Sequence, residues 1–383
     1  MKQALLTSRL FDGEVFLEDQ AVLLADDKIQ ALIPHHEIPV DYTHRVVIDG
    51  LLAPGLIDIQ VNGGGGLLFN DQPDPAALQC ISEAHRAAGT TSLVPTLISD
   101  QANIHRAGVA AAIASRAAGN AAILGIHLEG PFLAPARRGV HSAQAIRSPQ
   151  ASDIDWLCQC SSRLPTIITL APEQLPTQAI ARLNKAGALL CAGHTEATYE
   201  QICTAIDNGL RGFTHLFNAM NPLTARSPGT VGAALTSDCW VGIIADGHHV
   251  HPANLKIALR TIPHQRLLLV SDSMSTIGSR QTHFELYGKP VRLSEDKLQT
   301  EDGILAGSAI ALMDAVRYCH QHLHVSLDEC LRMAALYPAN FLGLEQKLGR
   351  IRKGFQADLV HFDTNFQVFD TWLAGQHRQH TKP

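Results

Sequence analysis

Eight short runs of nearly unbroken hydrophobicity, spaced along one chain, restrict this sequence more than any other feature. They are residues 51–61, 91–97, 123–129, 166–173, 188–195, 212–219, 240–247 and 266–273. A strand with one face in water alternates apolar and polar residues. Runs such as TIITLAPE and RLLLVSDS do not, so they read as parallel strands covered on both faces. Between several of them lie alanine-rich stretches, DPAALQCISEAHRAAG and QANIHRAGVAAAIASRAAG among them, each ending in a glycine suited to close a helix. Strand and helix in alternation specify a parallel α/β fold. Eight such units favour closure into a TIM-like (β/α)8 barrel over an open doubly wound sheet, an alternative the pattern alone leaves standing.

Polar residues gather at the C-terminal ends of these runs: Asp58 and Gln60, Thr96, Glu129, Glu173, His194, His215, Asp246 with His249, and Asp272. In a barrel those ends ring one mouth, where loops converge and catalysis occurs. A carboxylate and two imidazoles from separate strand ends suit a catalytic metal site that leaves a coordination position free, and Glu129, His194 and His215 supply that set. Asp272, in LVSDSMST, is placed to accept and return a proton, or else simply to cap the next loop. His141, Arg226 and His249 add donors for an anionic ligand, phosphate being the natural candidate, although an arginine beside Pro and Gly is equally a loop residue. The glycines at 63–66 are not a phosphate loop, because the Gly-Lys-Ser/Thr sequence is missing; they form a flexible turn or a close approach to the mouth. Leu305, Ala306 and Gly307 either present backbone groups to a ligand or make a plain turn.

The flanks, residues 1–53 and 344–383, hold strand-like pieces such as AVLLADDKIQALI and ADLVHFD, and are expected to assemble a small β-sandwich beside a barrel spanning 54–343. A net charge of -6 with 30 dispersed Lys and Arg disfavours nucleic acid as a partner, and no run reaches the length of a membrane span. Eight scattered cysteines without a C-x-x-C pair, and a start lacking a signal-peptide core, lead to the expectation of a cytoplasmic protein with reduced thiols.

In order along the chain, PGLIDIQVNGGGG, GIHLEGPF, LAPE, AGHTEAT, THLFNAM, GIIADGHHVH, LVSDSMS and LAGSA resemble the N-acetylglucosamine-6-phosphate deacetylases of the amidohydrolase superfamily. The resemblance implies a barrel with a terminal β-sandwich, a homodimer, and hydrolysis of a sugar acetamide. It implies a divalent metal, taken to be zinc, on Glu129, His194 and His215, with Asp272 as catalytic acid and base and His141 polarising the carbonyl. It further implies sugar-phosphate contacts from Asn218, Ala219, Asp246, Gly247, His248 and His249, and Arg226 reaching the phosphate from the neighbouring subunit. Val140 stands where some relatives carry a hydroxyl, so only its backbone is expected to contact substrate. The superfamily's H-x-H after the first strand is replaced by Gln60 and Asn62, whose neutral amides are poor ligands, so one metal is expected, with these two residues orienting its surroundings. The galactosamine epimer and a non-catalytic sugar-phosphate binder are the rival readings.

Overall fold

The structure is a computed structural model and describes residues 2–380. Eight parallel strands, Leu56–Val61, Thr90–Ile98, Ile126–Glu129, Thr166–Leu170, Leu189–Ala192, Leu210–Phe213, Trp240–Ile243 and Leu267–Leu269, pair in chain order. The last returns to the first beyond its regular end: the Asp272 N–H donates to the Gln60 carbonyl (3.0 Å), and the Asn62 N–H to the Ser273 carbonyl (2.9 Å). That closure makes the sheet a barrel, as the sequence pattern favoured. A helix follows each strand: Pro75–Ala87, Ala102–Ala117, Ala151–Ser161, Thr177–Lys185, Tyr199–Asp207, Gly229–Thr236, Pro252–Thr261 and Leu312–Leu323. Local chemistry sets their ends. Asp74 caps the first helix by accepting the Ala77 N–H at 2.8 Å, and Gly89 and Gly119 leave the first two helices at φ +93° and +89°.

Except for Thr90–Ile98, the barrel strands are shorter than the apolar runs that announced them. Run 51–61 is in fact two strands, His44–Pro54 and Leu56–Val61, which belong to different sheets. Gly55 divides them, lying so close to Thr91 that an added Cβ would sit 2.1 Å from its hydroxyl. His44–Pro54 runs parallel to Lys2–Phe11 in a seven-stranded sheet whose remaining members are Phe16–Ala25, Lys28–Pro34, Leu359–Phe362, Val368–Leu373 and Gln376–Gln379, so both ends of the chain build it. Alternation sends Leu5, Val22, Leu24, Ile48, Leu52 and Trp372 to one core, and Ala4, Ala21 and Leu23 to another. Arg86, on the first barrel helix, ties this sheet down by donating to the Thr371 hydroxyl (3.0 Å) and carbonyl (3.3 Å).

One unit has no counterpart in the sequence reading. Between the eighth strand and its helix lies a four-stranded antiparallel sheet, His283–Leu286, Lys289–Ser294, Lys297–Thr300 and Leu305–Ser308. Leu305–Gly307 is therefore strand rather than a plain turn. The Ser308 N–H donates to the Asp272 carbonyl (2.8 Å), fastening the insert to the barrel mouth. Leu286, Val291, Leu298 and Ala306 pack beneath it against Leu68, Ile98 and Met274. The glycine run makes a tight hairpin, Gly63–Gly64 against Leu67–Leu68, with the Gly66 N–H bonded to the Ser275 carbonyl (2.9 Å).

Candidate active site

Glu129 is the last residue of the third strand, whereas His194, His215 and Asp272 lie two or three residues beyond theirs. All three of these adopt left-handed backbone, φ +50°, +31° and +52°, which turns each side chain over the mouth at a steric cost. The result is a tight meeting of donor atoms. Glu129 Oε1 lies 3.2 Å from His194 Nε2 and 2.9 Å from His215 Nε2, and the two nitrogens are 3.1 Å apart. His194 Nδ1 is 2.8 Å from the Arg137 carbonyl, which can only accept, so its proton sits on Nδ1 and Nε2 offers a lone pair inward. Two imidazole nitrogens on one buried carboxylate oxygen are a donor set that suits a divalent cation. Burial pushes the Glu129 carboxyl up, but the two imidazoles beside it, His194 and His215, outweigh burial and hold it well below its ordinary value. His215 is raised in turn: burial opposes its charge, and Glu129 more than compensates.

His141 also reaches this cluster; its ligand atom, Glu129's and His194's lie within 4.8 Å of one another. Its hydrogen bonding sets it apart from the other two. Nδ1 accepts from the Ser99 N–H (3.2 Å) and lies 2.8 Å from the Ser99 hydroxyl. Burial, followed by the charge of His194, depresses its pKa well below the usual imidazole value. A neutral His141 with Nδ1 engaged carries its proton on Nε2, making it a donor toward the cleft rather than a third imidazole ligand.

Asp272 Oδ1 accepts from Asn62 Nδ2 at 2.7 Å and from Gln60 Nε2 at 3.2 Å, and the same Gln60 nitrogen is 3.2 Å from Glu129 Oε2. Both amides thus turn their nitrogens toward carboxylates, the arrangement of orienting groups rather than ligands. Burial, then the charge of Glu129, raises the Asp272 pKa to about 6. His249 completes this side: its Nδ1 is 2.6 Å from Asp246 Oδ2, while Asp246 Oδ1 accepts the His248 and His249 N–H groups at 2.8 Å each.

A cleft of about 370 Å3 joins these groups, and Asn62, Glu129, Val140, His141, His194, His215, Asn218, Ala219, His249, Asp272, Leu305 and Gly307 of the expected set line it. Six others do not. Gln60 lies buried beneath, Asp246 braces His249, Ala306 is packed in the core under the insert, and Gly247 and His248 belong to the loop behind. Arg226 stands exposed in the loop after the sixth strand. Of the other strand-end polar groups, Glu173 accepts the Thr195 hydroxyl and Glu196 N–H, bracing the loop that bears His194. Thr96 receives the Val61 N–H inside the barrel, and Asp58 is buried below Gln60. The sequence reading missed Arg137, whose carbonyl orients His194, and Ser99, which orients His141. Arg137 acts through its main chain, which carries no side-chain signal, and Ser99 is one small hydroxyl just past a strand.

Residues 51–378 match the amidohydrolase family. The chain is 41% identical to an N-acetylgalactosamine-6-phosphate deacetylase of Shewanella sp. (strain ANA-3), across 89% of this chain and 86% of that one. It is 32% identical to an N-acetylglucosamine-6-phosphate deacetylase of Haemophilus influenzae, across 99% and 100%. Among solved structures, the N-acetylglucosamine-6-phosphate deacetylase of Pasteurella multocida superposes with a TM-score of 0.96 at 32% identity, covering 99% of this chain and all of that one.

Proposed function

The chain belongs to the amidohydrolase family, and from that premise we propose that it hydrolyses the acetamide of N-acetyl-D-glucosamine 6-phosphate to D-glucosamine 6-phosphate and acetate. The observation that carries the reading is the convergence of two imidazole nitrogens on one Glu129 oxygen, with Asp272 and a donor His141 beside them. Relatives of that name align over the full length. A non-catalytic sugar-phosphate binder would have no need of Asp272 poised beside that cluster.

Glu129, His194 and His215 would hold one divalent cation, zinc in this proposal. Such an ion supplies Lewis acidity, polarising a carbonyl and making water more acidic. The remaining steps belong to the chain. His141 donates its Nε2–H to the acetamide oxygen as negative charge builds there. Asp272, held by Asn62 and Gln60, takes the proton of the attacking water and passes it to the leaving nitrogen, so the amine departs neutral. Asn218, Ala219, His249 and the backbone at Val140 and Leu305–Gly307 contact the sugar, with Asp246 and the segment through Gly247 and His248 holding His249 in place. In a homodimer, Arg226 of each subunit would reach the other's phosphate, a role its exposed position favours. The proposal sets the enzyme in the cytoplasm, supported by eight cysteines that remain free thiols.

One observation favours a second reading. The Shewanella relative, at 41% identity, acts on the galactosamine epimer. Measuring kcat/KM for acetate release from both 6-phosphates decides between them: a higher value for the glucosamine substrate supports the first reading, and a reversal of that order replaces it with the second.

A further inference from the structure

His141 forms part of a thin wall. On one side lies the active cleft; on the other a second cleft of about 660 Å3 is lined by Arg138, Gly139, Val140, Tyr287 and Lys289, and His141 borders both. The ring is buried and lies against His194, with 4.4 Å between ring centroids, and its orientation at that contact is set by hydrogen bonds. Those come from Ser99, through its N–H and its hydroxyl. Ser99 is in turn gripped from the insert: the Tyr287 hydroxyl donates to the Ser99 carbonyl at 2.5 Å across 188 residues of sequence.

The tyrosine occupies a costly position. It sits at the tip of the first hairpin of the insert, between His283–Leu286 and Lys289–Ser294, at φ +51°, followed by Gly288 at +73°. Such turns favour Asn or Gly at the first corner, and a bulky side chain there is strained. The residue as a whole is 38% exposed, so core packing alone does not explain it. The hydroxyl contact does.

We infer that Tyr287 and Ser99 are positioning residues that hold His141 in the Nε2–H tautomer and aim it at the acyl carbonyl, making the insert a working part of the active site. This rests on the deacetylase reading above. Two variants test it, Tyr287→Phe, which keeps the ring, and Ser99→Ala, which keeps the backbone. Each is expected to lower kcat about tenfold with KM changed less than about twofold. With the N-trifluoroacetyl analogue, whose carbonyl is already activated, the deficit should shrink to less than about threefold, because less polarisation is needed. An equal deficit on both substrates, or none on either, overturns the inference. If the wild-type chain releases no acetate from either sugar phosphate, the deacetylase reading fails instead. Imidazole 15N spectra then decide the positioning role on their own, with the His141 signals identified by their loss in His141→Gln. A shift from the Nε2–H form toward a tautomer mixture in Ser99→Ala supports it, and unchanged signals refute it.

Discussion

His194, His215 and Asp272 all hold a backbone conformation that costs a residue with a Cβ on the order of 1 kcal/mol. The distortion places each head group above the barrel mouth instead of along its wall, and Glu129, from the strand proper, meets them there. Asp272 is the most informative of the four. Burial and the Glu129 charge raise its carboxyl to about 6. Only the ionised form accepts a proton, so kcat/KM should climb as pH rises through an acidic limb and level off above it. The apparent pKa of that limb should be at or below about 6, since a bound cation favours the carboxylate. A kcat/KM that falls as pH rises from 4 to 7 would remove Asp272 from this role. Asp272→Asn should lose at least about a hundredfold in kcat while binding metal as before, checked by acetate release and metal analysis.

At the scale of elements, the gap between apolar runs and observed strands is instructive. Glu129, His194, His215 and Asp272 were legible because a charged or imidazole side chain ending a buried run needs a reason to be there. Run 51–61 misled because hydrophobicity is continuous across Gly55, and what divides it is contact with Thr91 rather than any change of composition. Gly55→Ala should therefore lower stability by about 1–3 kcal/mol, read from denaturant midpoints, because the β-branched Thr91 leaves nowhere for the methyl to go. A midpoint equal to wild type would contradict that packing. The four-stranded insert escaped notice because its strands, such as KPVRLS and KLQT, carry charges at every turn and bury only single residues, Val291 and Leu298. Ser99 and Tyr287 were hidden with it, since their link is a backbone carbonyl.

Over the whole molecule, the terminal sheet and the barrel meet around Asp358, which faces Ser92 (3.3 Å) and accepts the Ala374 N–H (2.7 Å). Burial raises its pKa to about 6. A carboxyl raised on folding costs nothing below its unfolded value of about 4 and opposes folding increasingly as pH rises through 6. Between pH 4 and pH 8, the stability of Asp358→Asn relative to wild type should therefore shift in the variant's favour by about 3 kcal/mol, measured by denaturation at each pH. A gap independent of pH would mean that Asp358 folds as readily charged as neutral. The central claim concerns the barrel mouth: a cation held by Glu129, His194 and His215 supports deacetylation of an amino-sugar phosphate. The most direct measurement restores metal stepwise to chelator-stripped protein while following acetate release from N-acetylglucosamine 6-phosphate. Release should rise from near zero and level off at one ion per chain; full release without metal, or none at any loading, would contradict the account.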